Sequence, residues 1–228
     1  AWLFSHQARL SKEYEDDWDK REKQLQKLQL EALTAIFKGG RGFQDILALA
    51  DLAAESYLVG ISLAAMDEGQ RLEKQIVEAL LLYNSDTKKR KLFALGFIER
   101  RYETEGLRWL TDLIRRLMSD GHFDVAIDVA THVWTTPELR DWVDAKEESF
   151  KKAYWNRARM LYPSIKDDDD FARMVDRILS VNRWNEAIEL ADAALHEKPI
   201  KGRSADYFRI LDHPRLNPLV DGFKRGFR

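Results

Sequence analysis

The run from Arg183 to Pro199 (Arg-Trp-Asn-Glu-Ala-Ile-Glu-Leu-Ala-Asp-Ala-Ala-Leu-His-Glu-Lys-Pro) constrains the fold more than any other stretch. Small residues recur at Ala187, Ala191 and Ala194, with Ile188 and Leu195 beside them. A helix with that face invites close approach by another helix and cannot bury the face alone. The chain must therefore supply further helices to stack on it. The rest of the sequence agrees: no segment shows sustained apolar/polar alternation with β-branched enrichment, so the expected class is all-α.

Composition narrows the functional classes. The 37 basic and 39 acidic residues give a net charge of −2, so no global field draws the chain to nucleic acid or anionic membrane. Cysteine is absent, which removes disulfides, thiolate metal sites and cysteine nucleophiles, and fits a reducing, cytoplasmic location. No apolar run approaches the ~18 residues of a membrane span, so no membrane partner is expected. The start, Ala1-Trp2-Leu3-Phe4-Ser5-His6, lacks both an initiator Met and a secretion-signal plan. The chain is read as part of something longer.

Residues 1–40 are expected to form a long charged amphipathic entry helix. Tyr14, Trp18, Leu25, Leu28 and Ala32 share a stripe with Arg21 in its one polar slot. That stripe suits either a helix lying on the first helical unit or a coiled-coil-like dimerisation arm. Lys38-Gly39-Gly40-Arg41-Gly42 reads as a helix stop, since a phosphate-binding loop needs Gly-Lys-Ser/Thr after a strand. Gly60 and Gly69 are taken as further breaks.

Residues 41–228 are expected to form a helical-repeat domain, with 201–228 as its C-terminal cap. Asn84-Ser85-Asp86-Thr87 reads as a turn and cap. The next helix opens on Lys88-Lys89-Arg90-Lys91, four positive charges that oppose the helix dipole and call for compensation. Thr136-Pro137-Glu138 is a strong start signal for a long helix to Tyr162. Asp167 to Asp170 reads as a cap for the following helix, because the alternating ligands and glycine of a calcium loop are missing.

Two helix-turn-helix units then align. Leu110, Leu113, Ile114 and Leu117 lead through Ser119-Asp120-Gly121-His122 into Phe123 to Val133; Phe171, Met174, Val175 and Ile178 lead through Ser180-Val181-Asn182-Arg183 into Trp184 to Leu195. Ala126 and Ala130 correspond to Ala187 and Ala191. On these residues the chain resembles the tetratricopeptide repeat, with Pro199 as the closing proline. It departs in placing Ala191 where that repeat has Phe, and Leu110 and Phe171 where it has Trp. Ala126 and Ala187 are also not separated by the repeat's step of about 34 residues. The resemblance implies an irregular α-solenoid of stacked antiparallel helix pairs. The succession Trp134-Thr135-Thr136-Pro137, Trp142, Tyr154-Trp155 further resembles helical-repeat regions of large bacterial multidomain proteins, including predicted NTPases of phage-defence type. That resemblance implies a scaffold or sensor region attached to an effector.

Chemistry is thin. His6, His122, His132, His196 and His213 show no zinc-ligand spacing, and no catalytic residue, metal or cofactor is assigned. The chain alone is read as non-enzymatic, any catalysis belonging to an attached domain. The seven tryptophans are read as packing residues, with Trp109 and Trp155 the most exposed. Two functional readings stand. In the first, a protein or peptide partner enters a concave groove which, by the repeat's geometry, is lined by Arg108, Thr111, Arg115 and Met118 in one unit and by Asp169, Ala172, Asp176 and Leu179 in the other. In the second, nucleic acid binds a basic stripe built from Lys88, Lys89, Arg90, Lys91, Arg100 and Arg101, joined by Arg115-Arg116, Lys224-Arg225 and Arg228. Salt sensitivity separates the two.

Overall fold

A computed structural model describes residues 2–5, 18–40, 42–66, 71–82, 88–158 and 168–196, with the backbone alone at 18, 168 and 191–196. Most of the described residues are helical, and none of them lies in a strand. Tyr14, Gly69, Tyr83, the 84–87 cap, Tyr162, Asp167, Pro199, the 201–228 cap with its basic residues, and His6 and His213 lie outside them. The chain forms two compact units, Ala1–Val133 and Trp134–Arg228.

The first unit holds α1 (Trp18–Gly39), α2 (Phe43–Leu52), α3 (Ser56–Ala64), α4 (Glu73–Leu81), α5 (Lys88–Ser119) and α6 (Phe123–His132). Helix α1 packs on α2 and α3. Leu33 and Gln29 are buried beside the half-buried Leu25, Leu28 and Ala32. Gln29 also clamps the N-terminal segment: its amide donates to Leu3 O at 2.8 Å and its carbonyl accepts from Ser62 Oγ at 3.2 Å. Phe4 is buried next to this clamp, and Glu55 N donates to Phe4 O. The stop after α1 falls where the glycines place it, with Gly42 at φ 64° preceding α2.

Gly60 corrects the sequence expectation. It lies inside α3 rather than at a break, and a Cβ built there would stand 1.9 Å from Phe93 O. Reciprocally, a Cβ at Gly96 of α5 would stand 2.3 Å from Tyr57 O of α3. The two helices therefore cross backbone to backbone, and Phe93, Phe97, Val59 and Leu63 close the core around the crossing. Helix α5 changes direction at Gly106, whose φ of 78° and ψ of −173° are open essentially to glycine alone.

The second unit holds α7 (Pro137–Asp144), α8 (Glu148–Arg157), α9 (Asp168–Ser180) and α10 (Trp184–His196). Thr136 caps α7 as expected, its Oγ1 accepting from Leu139 N at 3.2 Å. The single long helix expected from Pro137 does not form. Helix α7 ends at Asp144, with Ala145 N and Lys146 N closing the turn on Asp141 O and Val143 O, and α8 begins at Glu148. The break turns Phe150 and Tyr154 inward, and the Phe150 ring meets Trp142 edge-on at 5.7 Å.

Ala126 and Ala187 are both fully buried, as the close-approach face requires. The turns that precede them share one hydrogen-bond pattern. After α5, Gly121 N donates to Met118 O and His122 N to Leu117 O; after α9, Asn182 N donates to Leu179 O and Arg183 N to Ile178 O. Both are Schellman-type helix ends with one residue at positive φ, Gly121 at 85° and Asn182 at 62°.

Candidate functional site

The basic run is placed by α5, and its charges are engaged from several sides. Lys89 Nζ donates to Asp51 O at 2.8 Å and Ala53 O at 2.7 Å, the free carbonyl end of α2. A cation at a helix C-terminus is favourable, so the charge that opposes one dipole complements another. Arg90 makes a bidentate pair with Asp51, with contacts of 3.1 and 2.7 Å, and this hydrogen bonding raises its pKa. Lys91 pairs with Asp128 of α6. Further along α5, Arg100 pairs with Glu103 and the buried Arg101 with Glu105. Arg116 reaches Glu73 of α4 at 2.6 Å, where the Trp109 indole N–H also donates. Lys88 is exposed. The compensation demanded by four cations at a helix start is thus supplied by Asp51, Asp128 and the end of α2.

The eight groove residues fall in both units. Arg108 and Arg115 are exposed on α5, Arg115 paired with Asp112 at 2.6 Å, and Met118 is half-buried. Asp169, Ala172 and Asp176 are exposed on α9. Thr111 and Leu179 are interior, 4% and 1% exposed, and leave the set of residues open to a partner. Thr111 Oγ1 returns its hydrogen bond to Arg108 O.

A different concavity is open in the first unit. Between α2 and α4 lies a groove of about 360 Å³, floored by Phe43, Leu47 and Ala79. Leu82, 77% exposed, forms one wall. Gln44, Gln75, Glu78 and Arg90 form the rim. An apolar floor with a few polar groups at its edge is the usual make-up of a site for an apolar side chain or small ligand. The two glutamine amides each carry donors and an acceptor, matching the groups of a peptide bond.

The second unit has a buried polar centre. Arg140 of α7 and Asp170 of α9 form an ion pair with 0% and 2% of their side chains exposed, and Arg140 also donates to Thr135 O. Asp170 is therefore an interior residue rather than a cap. Trp155, expected near the surface, is buried; its indole N–H points to Asp144 Oδ1 at 3.4 Å and its ring lies 5.2 Å from the Arg177 guanidinium. Arg177 pairs with Asp144. Burial first, and then the charge of Arg140, lowers the Arg177 pKa. Arg183 at the start of α10 donates to Trp155 O at 2.9 Å and Ala158 O at 2.7 Å, capping the end of α8, and pairs with Glu186 at 3.0 Å. Among the described side chains the exposed tryptophans are Trp2 and Trp134; Trp109 is half-buried.

Among the described residues no group of histidine and carboxylate side chains has metal-binding geometry, and no helix is long and apolar enough to cross a membrane. Comparison with protein-family models, curated proteins and solved structures found no match.

Proposed function

We propose that this chain is a protein-interaction module, a scaffold or sensor region of a larger cytoplasmic protein, whose α2–α4 groove takes a large apolar side chain of a partner peptide segment. The observation that carries the reading is the open apolar floor of Phe43, Leu47 and Ala79 beside the exposed Leu82. Gln44 and Gln75 at the rim complement the backbone on either side of such an anchor, which favours a peptide over a purely apolar ligand. The nucleic-acid reading is less well supported, because Lys89, Arg90, Lys91, Arg100 and Arg101 already have partners within the fold. The tetratricopeptide-like character of the helix pairs is part of this proposal, supported by the turn that recurs before Ala126 and Ala187.

Selecting peptides from a random library on the wild-type chain, with counter-selection on Leu82→Asp, tests the site. The expected outcome is enrichment of peptides with a Leu, Phe or Trp anchor that fail to bind the variant. Peptides that bind both proteins equally would place recognition elsewhere.

A further inference from the structure

The second unit contains a cleft of about 530 Å³ between one face of α8 and the end of α9, closed at one side by Asp144 of α7. Lys151, Lys152 and Arg177 line it against two carboxylates, Asp144 and Glu148. The carboxylates differ in how firmly they are held. Asp144 is fixed by Arg177 and by the Trp155 indole. Glu148 reaches Lys151 at 2.7 Å from a side chain that is 83% exposed, and such surface pairs dissociate at little cost. Lys152 pairs with no carboxylate among the described residues.

The remaining observation is a buried donor. Arg177 Nη1 is shielded from solvent and makes no hydrogen bond to a described residue, a state that carries a desolvation penalty until an acceptor arrives. The guanidinium is planar and offers a fork suited to two oxygens of one anion.

We propose that this α8–α9 cleft binds a phosphate-type oxyanion, with Lys151 and Lys152 gripping it from α8 and a small swing of Arg177 bringing its idle N–H onto an anion oxygen. Lys151 and Lys152 are adjacent on α8, and Glu148, Lys151, Lys152 and Trp155 share one helix face. The two ammonium groups therefore reach the same mouth of the cleft. The cleft offers far more room than a bare anion needs, so a phosphate monoester with an organic body fits it better than inorganic phosphate. This site lies in a different compact unit from the α2–α4 groove and stands or falls without it.

Calorimetric titration of the full chain at fixed ionic strength tests the proposal with three probes: inorganic phosphate, O-phosphoserine and adenosine monophosphate. Saturable one-site binding of at least one probe is expected, weakened about tenfold or more in the Lys151→Ala/Lys152→Ala double variant. Both lysines are at the surface mouth, so the variant keeps its fold, checked by circular dichroism; Lys146→Ala, outside the cleft, leaves binding unchanged. Tighter binding of an ester identifies the organic phosphate as the ligand class, and equal binding of all three identifies the free anion. Absence of saturable binding by every probe, or equal weakening by Lys146→Ala, would overturn the proposal.

Discussion

Gly121 and Asn182 hold the same backbone position in two helix ends, one in each compact unit. Each has positive φ, and each turn closes with the same pair of hydrogen bonds onto the preceding helix. The offset that maps one onto the other also maps Ala126 onto Ala187. The two positions differ in suitability, because a left-handed conformation is free for glycine and strained for a residue with a Cβ. Asn182→Gly is expected to raise the unfolding free energy of the chain by up to about 1 kcal/mol, and Gly121→Ala to lower it by about 1 kcal/mol. Urea unfolding followed by circular dichroism reads both.

Gly60 and Gly106 separate two reasons for glycine in one unit. At Gly60 the obstacle is space, since a Cβ would overlap Phe93 O; at Gly106 a Cβ meets nothing within 4 Å and the obstacle is the backbone angle alone. Gly60→Ala should therefore lower stability by about 3 kcal/mol or more by forcing α3 and α5 apart. Gly106→Ala should lower it by about 1–3 kcal/mol. Equal and small effects at both sites, measured by thermal unfolding, would contradict the backbone-to-backbone crossing.

The buried Arg140–Asp170 pair makes an asymmetric prediction. Removing one charge leaves the other in the interior, so Asp170→Ala is expected to lower stability by about 3–5 kcal/mol. Replacing both with apolar residues of similar volume, Arg140→Met with Asp170→Leu, should recover most of that loss. Chemical denaturation of the two variants is the check.

Acid should loosen the contact of α10 with α8. The Glu186 carboxyl is held below its ordinary value of 4.5, by a hydrogen bond from its own backbone first and by Arg183 second. A carboxylate with a depressed folded-state pKa contributes stability above the unfolded value, lost as pH falls through the folded value. The contribution is small because the Glu186 side chain is more than a third exposed and its pair with Arg183 is screened by solvent. Protection of the α10 amides in hydrogen exchange should decline below pH 4.5 more steeply in wild type than in Glu186→Gln, which lacks the titrating group.

Local periodicity made the helical class legible, along with the Thr136 cap, the glycine stop after α1 and the two aligned turns. Each of these is decided within a few residues. What stayed hidden depends on partners far along the chain. The charges of Lys89, Arg90 and Lys91 call for compensation in the sequence, but its source is not legible there because Asp51 and Asp128 are 37 to 39 positions away. One signal for the buried pair was present. Arg140 sits between Leu139 and Val143 on the inward face of α7, and Asp170 is four residues before the buried Met174. A charge on each apolar stripe marks two groups that need each other. The groove wall at Leu82 had no such signal, because apolar spacing identifies a helix face without saying which part a neighbour leaves uncovered.

The most direct measurement is the fluorescence anisotropy of a labelled peptide selected on the wild-type chain, set beside a labelled single-stranded oligonucleotide, at low and at near-molar salt. The account predicts saturable peptide binding that changes little with salt and weakens at least tenfold in Leu82→Asp, with no saturable oligonucleotide binding. Oligonucleotide binding that falls steeply with salt and disappears in Lys88→Glu, alongside peptide binding indifferent to Leu82, would contradict it.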